Sequence, residues 1–97
     1  INVSGNKVYP NEVEEVVLRM KGILEAALVG KKSEKQGEEL VLFVVMDPLM
    51  SISNEKIVDF CRLNLTSYKI PKIIERRTNL PRNPIGKILR SALRKEV

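Results

Sequence analysis

Histidine is absent from these 97 residues, and cysteine occurs once, at Cys61. Without histidine and with a single thiol, a zinc site or a Cys/His catalytic pair is excluded. No internal disulfide can close either, which fits a reducing compartment and so a cytoplasmic location. Aromatic residues make up 4% of the chain, and from Arg62 onward the only one is Tyr68. Nucleic-acid interfaces need interleaved aromatics or a recognisable motif, so no nucleic-acid partner is expected. No apolar run approaches the roughly 20 residues that a membrane helix requires. There is no signal-peptide pattern, repeat or low-complexity segment, and the first residue is Ile1 and not methionine. The chain is therefore expected to be cut from a longer protein.

What is present suits one globular domain with a modest core: the apolar content is 43%, too high for disorder. The net charge of +5 is uneven. From Arg62 onward ten Lys/Arg stand against two Glu, or +8, while residues 1–61 carry seven against ten, or −3. A basic half suits an anionic small molecule, a membrane surface, or a stand-alone module for nucleic acid or an acidic protein; a plainly solvated face explains it too. Binding to a phosphate backbone would be marked by a steep loss of affinity with salt.

Ser4-Gly5-Asn6 is a turn signal after a short extended piece. Tyr9-Pro10-Asn11-Glu12 starts a helix whose stripe is Val13, Val16, Val17 and Met20, with Gly22 as its C-cap. Glu12, Glu14 and Glu15 read as charges favourable near a helix N-terminus. Residues 23–29 form a short apolar run bounded by glycines, most simply a strand, and residues 31–39 read as a polar surface loop. Residues 40–46 (Leu-Val-Leu-Phe-Val-Val-Met) lack alternation, which predicts a central strand covered on both faces. Leu24, Leu28, Val41, Phe43 and Val45 are the expected core. Asp47-Pro48 breaks that strand, and Ser51 or Ser53 caps a helix to about Leu65 with a stripe of Ile57, Val58, Cys61 and Leu65. Cys61 is thereby a small core residue. A turn at residues 68–71 and a shorter strand at 72–77 follow. The expected fold is a small α+β domain of about three strands, with helices on both sheet faces and a closing C-terminal helix over residues 88–96.

The stretch with the most chemistry is Leu80-Pro81-Arg82-Asn83-Pro84-Ile85-Gly86-Lys87-Ile88-Leu89-Arg90. Two prolines exclude a helix or a central strand over residues 80–85. Gly86 then frees the backbone, and Ile88, Leu89, Ala92 and Leu93 share one helical face. Lys87 is placed where a stiff loop passes into a helix, well set to present one ammonium group to a ligand oxygen. From spacing alone it reads first as an exposed surface lysine at a helix start.

This wording closely resembles the C-terminal signature of the adenylate-forming enzymes, which include acyl-CoA synthetases, luciferases and peptide-synthetase adenylation domains. A second stretch, Val3-Ser4-Gly5-Asn6-Lys7-Val8-Tyr9-Pro10-Asn11-Glu12-Val13-Glu14, resembles the motif that follows the family's inter-domain hinge, so the likeness covers nearly the whole chain. Val8-Tyr9-Pro10-Asn11-Glu12 and Leu65-Thr66-Ser67-Tyr68-Lys69-Ile70-Pro71-Lys72 are most similar to the bacterial long-chain fatty acyl-CoA synthetases. The resemblance implies the mobile C-terminal domain of an AMP-forming acid–thiol ligase, whose partner is its own N-terminal domain. Lys87 is then the catalytic residue, touching ATP and the adenylate, and Pro81 and Gly86 position its loop. Val3, Ser4, Gly5 and Lys7 would line the coenzyme A channel after the domain swings. ATP, Mg2+, coenzyme A and a fatty acid belong to the full-length enzyme, with the Mg2+ site outside this chain, and peripheral membrane association of that enzyme stays open. Asn2 departs from relatives with a second basic residue there, so no charge contact is expected from it. The alternative within the class is an adenylation-domain lid that serves a carrier protein.

Overall fold

The computed structural model describes all residues from 1 to 97. A short hairpin, β1 (Asn2–Val3) and β2 (Asn6–Lys7), leads into α1 (Pro10–Val17), then β3 (Ile23–Ser33) and β4 (Gly37–Met46). The chain continues through α2 (Asn54–Asn64), a 3-10 turn (Ser67–Lys69), β5 (Ile73–Arg76) and α3 (Arg90–Arg94). The sheet has five strands, in the order β2-β1-β4-β3, and β5 lies parallel to β4 along Val41 to Val44. All other pairings are antiparallel. No helix is long and apolar enough to cross a membrane.

β4 is covered on both faces, as its unbroken apolar sequence requires. Leu40, Leu42 and Val44 pack with Ala26 and Leu28 beneath α1 and α2, where Val13, Val17, Ile57 and Cys61 meet them. Val41, Phe43 and Val45 pack on the opposite face with Ala27, Val29, Leu80 and Leu93. The predicted α+β class, with helices on both faces, stands, but the sheet has five strands and not about three. The two short strands, β1 and β2, account for the difference. Residues 31–39, expected as a loop, instead lengthen two expected strands: β3 runs to Ser33 and β4 starts at Gly37, with Lys31 opposite Glu39 and Lys32 opposite Glu38. Opposite charges paired across the ladder let polar residues continue a hairpin beyond its core.

Leu24, expected in the core, is 57% exposed. The β3–β4 register shifts between Ile23 and Glu25, and such an irregularity breaks the inward–outward alternation and turns one side chain out. The first helix ends at Val17 with Leu18 as its C-cap, and Gly22 lies in the turn before β3 and not at the cap. Ser53 caps α2 by accepting the N–H of Lys56 at 3.1 Å.

Lys69 Nζ donates to Glu12 Oε1 at 3.1 Å, tying the 3-10 turn to the start of α1. That hydrogen bond holds the Glu12 carboxyl below the usual carboxylate range. The stabilisation is full above the ordinary carboxylate pKa and is lost as pH falls through the lowered value.

Cys61 is fully buried in the α2 face of the core, and burial pushes its thiol pKa up. A buried, protonated thiol is a poor nucleophile. At neutral pH the native chain is expected to resist a disulfide reagent such as DTNB and to react fully once unfolded in urea. Prompt labelling of the folded chain would contradict this packing.

Candidate functional site

The residues expected to carry function fall into two groups. Val3, Ser4, Gly5 and Lys7 sit together on the β1–β2 hairpin. Ser4 and Gly5, at φ +51° and +86°, make its turn. Two consecutive residues at positive φ suit a tight two-residue hairpin, and glycine takes the second without steric cost. The Gly5 N–H donates to Asn2 Oδ1 at 2.9 Å, and the Ser4 N–H to the Gln36 carbonyl at 2.7 Å. Val3 points into the core, whereas Ser4, Gly5 and Lys7 are exposed. Beside this turn lies a cleft of about 240 Å³ lined by Ser4, Gln36, Tyr68 and Lys72 among others.

Pro81, Gly86 and Lys87 form the second group. Lys87 is not at the start of a helix: α3 begins three residues later, at Arg90, and is shorter than the expected 88–96. The chain instead folds back on itself, with Arg82 bridged to Ile88 and the Leu89 N–H donating to the Pro81 carbonyl at 2.8 Å. Lys87 lies on the returning arm of this loop, exposed beside Gly86 at φ +89° and Ile85 at 79% exposure.

Asn83 organises the loop. Its Oδ1 accepts the N–H of Ile85 at 3.1 Å and the N–H of Lys87 at 2.9 Å. Its own N–H donates to the Lys87 carbonyl at 2.8 Å, and its carbonyl accepts the Gly86 N–H at 2.9 Å. Arg82 spans the same turn, donating to the Gly86 carbonyl at 2.6 Å while pairing with Glu25 on β3. Sequence reasoning quoted Asn83 only as part of a motif. Asparagine ahead of Pro-x-Gly is a turn signal, because its side chain bonds backbone N–H groups further along, and that signal was available.

Behind the loop, Arg90 donates to Glu14 through Nε, at 3.0 Å to Oε2, and through a second bond to Oε1. Glu14 Oε2 also accepts the Leu28 N–H at 2.8 Å. Glu14 is therefore a buried clamp joining α1, β3 and α3, and not the helix-end charge expected of it. Its hydrogen bonding raises the Arg90 pKa further above its already high range. Arg77 ties the C-terminal end down, pairing with Glu96 at 2.7 Å and lying 4.9 Å over the Phe43 ring.

The two groups hang from opposite faces and opposite ends of the sheet. Val3 belongs to the core layer under α1 and α2, whereas Leu80 and Ile88, which flank the lysine loop, pack on the other layer. Val3 pairs with Gly37 at the start of β4, and Glu25, the anchor of Arg82, pairs with Val45 near its end. Eight residues of strand at about 3.3 Å each separate these anchors by roughly 26 Å. No group of three or more His, Cys, Asp or Glu side chains could hold a metal ion.

Known proteins share this fold. The family described as AMP-binding enzyme C-terminal domain matches residues 12–87. A long-chain-fatty-acid–CoA ligase of Escherichia coli O157:H7 is 50% identical over 99% of this chain, which spans 17% of that relative. The solved structure of a Mycobacterium tuberculosis fatty acyl CoA synthetase superposes with a TM-score of 0.92 at 40% identity, covering 99% of this chain and 19% of its own. ATP-bound MatB from Rhodopseudomonas palustris gives a TM-score of 0.95 at 29% identity, over 99% of this chain and 19% of its own. The chain thus spans about a fifth or less of the relatives it matches, and it belongs to the family of AMP-binding enzyme C-terminal domains.

Proposed function

We propose that this chain is the mobile C-terminal domain of an ATP-dependent fatty acyl-CoA synthetase, which supplies Lys87 to the first half-reaction and the Ser4–Gly5 turn to the second. The observation that carries the reading is the separation just described: an ordered lysine loop on one face, a glycine turn on the other, and a rigid sheet between them. Such a domain can present either face to one active site by rotating as a body.

In the first half-reaction a fatty acid carboxylate joins the α-phosphate of ATP and pyrophosphate leaves. Two anions meet, and negative charge gathers on the bridging oxygens. A cation held there stabilises the transition state more than the ground state. Lysine fits as a compact point charge with three donors on a long stem. By the family resemblance, the acyl pocket, the phosphate-binding loop and the Mg2+ site belong to the N-terminal domain. In the second half-reaction the coenzyme A thiol attacks the acyl carbon and AMP leaves; the Ser4–Gly5 turn then lines the path of the pantetheine arm. The fatty substrate is carried over from the ligase relatives named above, and a cytoplasmic setting from the single free thiol.

The turn tests the reading. A Cβ on Gly5 would meet open space in the isolated chain, yet its φ of +86° disfavours other residues. Gly5→Leu in the full-length enzyme is expected to slow thioester formation about tenfold or more, leaving acyl-adenylate formation nearly intact. Gly5→Asn, which tolerates this φ, separates bulk from backbone strain. Single-turnover assays of both half-reactions decide the matter, and equal losses in both would mark a folding defect and remove the functional claim. The chain alone is expected to fold and to make no acyl-CoA.

A further inference from the structure

We propose that Asn83 is the positioning residue for Lys87, acting on adenylation only through the place it gives that lysine. The inference rests on the reading of Lys87 above and adds a residue that touches no reacting atom. The loop has no packed core of its own: residues 84–87 are all exposed, so burial cannot fix its shape. Hydrogen bonds must do so. Two of the N–H groups in the turn, those of Ile85 and Lys87, converge on Asn83 Oδ1 at 3.1 and 2.9 Å. The Asn83 backbone adds bonds in both directions, to the Lys87 carbonyl and from the Gly86 N–H. The Lys87 peptide is thus held on both its N–H and C=O sides by one residue, which is itself half-buried.

Without that side-chain oxygen, two exposed N–H groups turn to water and the loop loses the bonds that select one conformation. Lys87 then spends less of its time beside the α-phosphate that the carboxylate attacks. The loss is one of orientation, for which misplacement by about 1 Å costs up to on the order of 10² in rate. Two backbone bonds to Asn83 survive its truncation, so a smaller effect is expected. The Arg82 link to the Gly86 carbonyl also survives.

The test measures both half-reactions in the full-length enzyme for Asn83→Ala, Asn83→Thr, Lys87→Ala and the double variant Asn83→Ala/Lys87→Ala. Asn83→Ala is expected to slow adenylation about tenfold, leaving conversion of pre-formed acyl-adenylate and coenzyme A unchanged. Asn83→Thr keeps a short acceptor without adding charge and should recover most of the loss. The double variant should be no slower than Lys87→Ala, because a residue acting only through Lys87 has nothing left to position. Multiplied losses in the double variant, unchanged adenylation in Asn83→Ala, or equal slowing of both half-reactions would each overturn the inference. If Lys87→Ala itself leaves adenylation intact, the reading of Lys87 falls and the inference with it. If Lys87→Ala is slow and Asn83→Ala is not, only the positioning role is lost.

Discussion

Lys87→Ala in the full-length enzyme is expected to slow acyl-adenylate formation by on the order of 10² or more, the usual cost of removing a group aimed at developing negative charge. The effect should be confined to that step. Pre-formed acyl-adenylate offered with coenzyme A should be converted at close to the normal rate, because the swing that brings the Ser4–Gly5 turn forward takes the lysine loop away. Lys87→Arg should rescue poorly, since a planar, forked guanidinium does not replace a compact ammonium. Stability should barely change: the side chain is exposed and makes no hydrogen bond or ion pair within the chain, and only its backbone is engaged. Single-turnover measurement of each half-reaction is the check. If both steps slow together, or neither does, Lys87 is an ordinary surface lysine.

Arg90→Ala should have the largest effect on stability among single changes outside the apolar core. Its removal leaves the Glu14 carboxylate, with a side chain only 9% exposed, supported by one backbone N–H, that of Leu28. Breaking a fully buried pair from one side typically costs about 3–5 kcal/mol. The Arg90 side chain is 42% exposed, so water can reach part of the gap and about 2–3 kcal/mol is a better expectation. For a domain of this size that is a fall in Tm of roughly 8–24 °C. Glu14→Gln should cost less, because an amide oxygen can still accept from Leu28 and from the guanidinium while no buried charge is stranded. Combined, Glu14→Gln and Arg90→Ala should cost less than their sum, since the first removes what the second would strand. Thermal unfolding of the 97-residue chain measures all three. A Tm within about 2 °C of the parent for Arg90→Ala would show the pair to be a solvated contact of little worth.

The two predictions meet in α3. Arg90 follows the lysine loop by three residues, so the clamp that stabilises the fold also fixes where the returning arm of the loop ends. Loosening it should add a modest loss of adenylation to the loss of stability. Asn83→Ala, in an exposed loop, should show the rate effect without the stability effect.

Much of this architecture was legible from residue order, because it depends on local rules. Tyr9-Pro10 begins a helix since proline suits the first turn, Ser51 or Ser53 offers a cap for another, and the unbroken apolar run from Leu40 demanded cover on both faces. Ser4-Gly5 and Gly86 mark turns through their backbone freedom, and the lysine stretch stood out by its wording. Tertiary structure decided what depends on partners distant in sequence. Polar residues 31–33 and 37–39 became strand only because Lys31 and Lys32 found Glu39 and Glu38 across the hairpin. Leu24 left the core only because the register slips beside it. Glu14 and Arg90 lie 76 residues apart, and nothing in either neighbourhood announces the other. Periodicity and capping act over a few residues along the chain, whereas register, ion pairing and burial are settled between elements once they pack.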